Sequence, residues 1–155
     1  MNVCKLQQDI LKTLVDEKLK MKPSKFLCES DDEYVYFVNG VQIFKIKKDE
    51  CFIDTNKLKN RNMKKLLSNF GYEPDKYADV GYMIEYVKNG TKLTLRKLTL
   101  NDISTYVDVK LLKYFDADNM KFYFTSNKDL ISVWEHGELI GAVLPVKYDE
   151  REVEQ

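Results

Sequence analysis

Four cationic side chains, Lys57, Arg61, Lys64 and Lys65, recur at i, i+4, i+7 and i+8, the spacing that gathers them on one side of a helix. Ammonium and guanidinium groups gathered in this way can neutralise phosphates and hold a nucleic-acid backbone without reading its sequence. A surface helix that is merely solvated shows the same pattern. Aromatic residues are the second candidate chemistry. Trp134, Tyr34, Tyr36, Phe122 and Phe124 could stack bases, although aromatics at alternating strand positions usually pack a core or pair across strands.

Catalytic chemistry is not indicated. The single histidine, His136, stands beside a turn glycine, and no serine or cysteine has an activating neighbour. Asp116-Ala-Asp118-Asn119 has part of the pattern of a calcium loop. It lacks the glycine and the distant bidentate glutamate, and reads instead as a helix-ending turn. Cys4, Cys28 and Cys51 are widely spaced and odd in number, which argues for reduced thiols and against a disulfide framework or a C-x-x-C metal knuckle. Gly40, Gly90 and Gly137 read as turn glycines, not as a phosphate-binding loop. The expectation is therefore a non-enzymatic protein with no metal and no cofactor.

The chain has 155 residues, with 25 basic and 25 acidic side chains and a net charge of zero. One domain over 1–147, followed by a charged tail at 148–155, accommodates this length. The charge balance counts against a protein held to DNA by phosphate neutralisation alone. No uncharged run reaches the roughly 18 residues that a bilayer span needs. Asp9, Lys12 and Asp16 interrupt the N-terminal apolar positions, so no secretion signal is read there and a cytoplasmic location is the expectation.

The elements that must position these residues follow from periodicity and punctuation. Leu6, Ile10, Leu11, Leu14 and Val15 predict a helix over 3–20, ended by Pro23. Lys25 to Ser30 reads as a short edge strand. Tyr34 to Ile46 predicts a hairpin turning at Asn39-Gly40 in the type I′ manner. Cys51 to Asp54 reads as a short strand. Thr55 or Asn56 then caps a second helix running to about Phe70, with Met63, Leu66, Leu67 and Phe70 as its apolar stripe and Gly71 as its stop. A second hairpin spans 82–100 and turns at Asn89-Gly90. Ser104 to Lys147 then gives a strand, a short helix and three strands, the last turn being His136-Gly137.

Two segments rhyme, Cys51-Phe-Ile-Asp-Thr-Asn-Lys-Leu and Thr105-Tyr-Val-Asp-Val-Lys-Leu-Leu, each leading into helix and then strands. Val107-Asp-Val-Lys-Leu-Leu112, Phe122 to Ser126 and Leu144-Pro-Val-Lys147 occur in the order and approximate spacing of the C-terminal βαβββ unit of bacterial DNA polymerase sliding clamps, which the segment Tyr106 to Lys147 resembles. The resemblance covers about a quarter of the chain. It implies an α+β fold, two βαβββ-like halves forming an antiparallel sheet with helices on one face.

Two surfaces are also implied by the resemblance. Lys57, Arg61, Lys64 and Lys65 would meet double-stranded DNA, and Leu144, Pro145 and Val146 would form a partner-binding strand for a replication protein. Clamps carry three such domains per chain and close a ring from six, so one domain per chain requires a homo-oligomer to encircle DNA. The resulting expectation is a clamp-like accessory protein, of phage or mobile-element type, that binds DNA weakly or docks a replication protein. The alternative is a protein-interaction or inhibitor module that kept the fold without the ring.

Overall fold

The computed structural model describes residues 1–62, 64–67 and 72–148, apart from the side chains of Lys64 and Leu66. It is an α+β fold. Helix α1 (Val3–Leu19) starts at Asn2, whose side chain accepts the Lys5 N–H at 3.0 Å, and turns its Leu6 and Ile10 into the core. Past the Lys20 cap, Met21 takes a left-handed φ of 53° and the Lys22 N–H closes on the Glu17 carbonyl at 2.8 Å.

Strands β1 (Leu27–Ser30), β2 (Tyr34–Val38) and β3 (Gln42–Lys47) follow, then β4 (Lys59–Asn60) and the four-residue helix α2 (Lys64–Leu67). The second part holds β5 (Asp79–Lys88), β6 (Thr91–Leu100), β7 (Ile103–Asp108), β8 (Lys121–Tyr123), β9 (Ile131–Glu135) and β10 (Glu138–Val143). A seven-stranded sheet has the order β4-β1-β2-β3-β10-β9-β8, and a three-stranded sheet has the order β5-β6-β7. All pairings are antiparallel except β1 with β4.

Alternation along these strands sends side chains to two sides of the large sheet. Val35, Phe37, Phe44, Ile46, Ile131, Val133 and Val143 face α1 and form the main core, which Leu98, Leu100 and Val107 of the small sheet join. Tyr36, Val38, Ile43, Trp134 and Ala142 face the other way and pack with Leu67 and Tyr77. The join between the two ends of the chain is the β3–β10 pairing, with Gly141 opposite Phe44. Here the backbones approach closely: a Cβ on Gly141 would lie 2.4 Å from the Ile43 carbonyl oxygen.

Several finer expectations change. The terminal unit has its elements in the predicted order, but its helix is one 3₁₀ turn at Val109–Leu112, and β7 belongs to the small sheet, apart from β8 to β10. Helical segments lie on both faces of the large sheet, since α1 packs on one side and Leu67 on the other. Cys51 to Asp54 is not a strand, because the buried Gln7 side chain ties that segment to α1. The first hairpin turns at Gly40-Val41 with a φ of 90° at Gly40, a II′-type arrangement instead of the I′ expected of Asn-Gly. Asn89-Gly90 and His136-Gly137 have positive φ at both positions, as a I′ turn requires.

Candidate functional site

The predicted basic helix does not form as one element. Asp54 caps a 3₁₀ turn at Thr55–Lys57, accepting the Asn56 N–H at 3.2 Å. Lys59–Asn60 then pairs in parallel with Leu27–Cys28, and the Arg61 N–H donates to the Cys28 carbonyl at 3.2 Å. The next helical residues described are Lys64–Leu67, with Asn62 accepting the Lys65 N–H at 3.0 Å. Tertiary pairing at the sheet edge has overridden helix propensity here.

The four cations therefore sit on a turn, a strand end and a short helix. Lys57 is exposed and lies 3.7 Å from Asp54, and Arg61 and Lys65 are also exposed. Lys64 belongs to α2. Met63, Phe70 and Gly71, expected on the stripe and at its end, lie outside the described residues, as does the tail from Asp149 onward.

Leu144, Pro145 and Val146 lie beyond the end of β10 and leave its ladder. The Leu144 N–H donates to the Val41 carbonyl at 2.9 Å, and the Val146 N–H donates to the Tyr106 carbonyl at 2.7 Å. The segment thus passes from the large sheet to the free edge of β7. Leu144 is exposed, while Pro145 and Val146 are half-buried. Only Val146 of the three borders a cavity of about 370 Å³, with Tyr106, Lys128 and Tyr148 around it.

The aromatic residues are not a stacking platform. Trp134, Tyr36, Phe122 and Phe124 are buried, and the Trp134 indole N–H is satisfied by Ser132 Oγ at 2.9 Å. Tyr34 is half-buried with Lys45 Nζ 3.8 Å over its ring. Tyr77 lies edge-on to Trp134, and burial together with the Glu73 carboxylate that accepts its O–H pushes its phenol up to about 12.

Other candidate chemistry resolves into structure. His136 is the exposed first residue of its turn. Asp116 accepts from the Asn119 amide at 2.7 Å and the Asp118 N–H at 3.1 Å, bonds that hold its carboxyl low and make it a turn residue. All three cysteines are free, and burial pushes the thiols of Cys28 and Cys51 up, away from the reactive thiolate. Among the described residues no cluster of three or more metal-ligating side chains occurs. No helix among them is long and apolar enough to cross a membrane.

The 82–100 hairpin forms as expected; what the sequence reading missed is the open edge of its first strand. β5 is ten residues long, and among the described residues its sole ladder partner is β6. Val80, Met83 and Val87 lie on one side of it and are each more than half exposed, as is Tyr82. A two-residue turn closes the hairpin, so Lys88 with Thr91, Tyr86 with Leu93 and Ile84 with Leu95 are the hydrogen-bonded pairs. Met83, Glu85 and Val87 accordingly turn their N–H and C=O groups to the open edge. A bulge at Gly81-Tyr82 ends this regular stretch, and the Arg96 guanidinium caps the Gly81 carbonyl at 3.1 Å. The signal available in sequence was Tyr82-Met-Ile-Glu-Tyr-Val87, too continuously apolar for a strand with one solvated face.

Comparison of the chain with protein-family models, with curated proteins and with solved structures finds no match.

Proposed function

We propose that this chain is a non-enzymatic protein-interaction module that takes an extended segment of another polypeptide onto the open edge of β5. The observation that carries this reading is the edge itself: a ten-residue strand with outward backbone groups at Met83, Glu85 and Val87 and exposed apolar side chains beside them. Proteins usually blunt such an edge with charge, proline or cover, because it templates pairing with another chain. Strand addition would satisfy the backbone groups, and the side chains of Val80, Met83 and Val87 would supply selectivity.

A photo-crosslinking residue placed at Val87 in the host cell tests this. A discrete protein adduct is expected from that position, none from Lys12 on α1, and the adduct should disappear in Glu85→Pro, which removes an outward N–H and leaves the β6 ladder bonds. An adduct indifferent to Glu85→Pro, or no adduct, rejects strand addition. An adduct at twice the chain's own mass identifies self-association.

The clamp-like reading is a second proposal, favoured by the element order of Tyr106 to Lys147. In that reading a duplex is held by Lys57, Arg61, Lys64 and Lys65, or a replication protein docks at Leu144 to Val146. It requires duplex binding that weakens with salt and is lost when Lys57, Arg61 and Lys65 are reversed to Glu. Binding unchanged by that reversal removes the reading.

A further inference from the structure

A second open surface runs along α1, and no residue of β5 lines it. Leu11, Val15 and Leu19 recur every four residues on its outer face and are 37%, 58% and 79% exposed. Between this stripe and the segment 53–58 lies a groove of about 730 Å³, with Leu14 on the helix side and Ile53 and Leu58 opposite. That volume falls in the range of ligand-binding clefts.

Its charge leans positive. Lys18, Lys22 and Lys57 line it, and the Asp54 carboxylate lies 3.7 Å from Lys57 Nζ. Lys18 and Lys22 have no carboxylate within ion-pair distance among the described residues. The other acidic residue lining the groove is Glu17, which is 5% exposed. Its Oε1 accepts the Lys25 N–H at 2.9 Å, whereas its Oε2 is shut off from water and has no hydrogen-bond partner among the described residues. A buried acceptor left unsatisfied favours any occupant that brings a donor.

We infer that this groove binds a peptide segment of a partner protein in which a tryptophan or tyrosine is flanked by aspartate or glutamate. The aromatic body matches the Leu11, Leu14, Val15, Ile53 and Leu58 walls. Its N–H or O–H meets Glu17 Oε2 once a flexible lining side chain turns aside. The acidic flanks meet Lys18 and Lys22. Tryptophan and tyrosine are the side chains that combine a large apolar body with a donor at the tip, and they recur at the centres of protein interfaces.

Selection of a displayed random-peptide library on the purified full chain tests this. Enriched peptides should share Trp or Tyr next to Asp or Glu, bind more weakly as salt rises, and be lost in Val15→Lys and in Lys18→Glu/Lys22→Glu. Val15 is exposed, so these variants can be checked for unchanged circular dichroism; Val87→Lys on β5 should leave binding intact. Replacing the selected Trp by Phe should weaken binding about tenfold on the native chain, the factor that about 1.4 kcal/mol represents. The same replacement should have little effect on Glu17→Gln, which offers one carbonyl oxygen where the native residue has two acceptors. No enrichment, peptides without acid or donor aromatic, or equal binding to Val15→Lys overturns the inference. A concentration-dependent dimer dispersed by Val15→Lys also overturns it, because the occupant would then be a second copy.

Discussion

Replacing Gln7 by leucine should loosen one wall of the α1 groove. Gln7 is fully buried; its Nε2 donates to the Glu50 carbonyl at 2.9 Å and its Oε1 accepts the Phe52 N–H at 2.8 Å. Leucine removes both bonds. Each backbone group left without a partner costs about 1–3 kcal/mol, roughly 2–6 kcal/mol together. The more apolar side chain returns about 1 kcal/mol. Glu50 and Phe52 are themselves surface residues, so the loop can swing out and regain water. That escape holds the net loss to about 2 kcal/mol and makes it largely a local opening. Urea unfolding should show a lower midpoint with an unchanged slope, and the Phe52 amide should lose hydrogen-exchange protection. Gln7→Glu adds a pH signature. It keeps the acceptor for Phe52 but sets a buried carboxylate against the Glu50 carbonyl, which raises the folded pKa above the ordinary value of about 4.3. Its stability should be greatest below that ordinary value and fall as pH rises through the raised one. A Leu variant within about 0.5 kcal/mol of the native chain, with Phe52 still protected, refutes the role given to the Gln7 bonds.

Gly141→Ala should be severe, because its Cβ would lie 2.4 Å from a backbone oxygen of β3 and 3.2 Å from Phe115. A loss of about 3 kcal/mol or more, read as a fallen thermal midpoint, is expected; a native-like midpoint contradicts the close approach. Asp9 accepts the Tyr114 O–H at 2.8 Å and lies 3.5 Å from Lys113 Nζ, and these partners hold its carboxyl below 3.8. The stabilisation it supplies is present above that value and fades as pH falls through the lower folded one. Asp9→Asn should therefore cost about 0.5 kcal/mol at pH 6 and much less near pH 2, measured by urea titration at both.

Much of the fold could be read where local chemistry decides it. The α1 periodicity, the Asn89-Gly90 and His136-Gly137 turns and the alternating strands around them are all local signals. Residues 55–65 failed because a long-range partner decided them: the backbone of Cys28 claims Asn60 and Arg61 as sheet edge before a helix can run through. Phe124, at an alternating aromatic position with Phe122, is buried but outside the β8 ladder, since burial and strand pairing are separate facts. Leu144 to Val146 reads as strand from composition, and only the register of β10 shows the departure. Of the two open surfaces, only the one on β5 left a trace in the sequence, the apolar run Tyr82 to Val87. An apolar residue at a strand or helix position looks like core until the packing leaves it uncovered, as it does at Val87 and Val15.

The partnership of β3 with β10 also sets a timetable for synthesis. The Tyr34–Lys47 hairpin leaves the ribosome early, yet the strand that covers its open side ends at Val143. For the intervening stretch, at roughly 5–20 residues per second, the nascent hairpin waits with Gln42, Ile43 and Phe44 unpaired on one side. Whatever attends the chain during those seconds, a chaperone or the helix already made, must keep that side from joining a neighbour. Truncations that stop short of Glu138 should accumulate as aggregates even though every residue of the hairpin is intact.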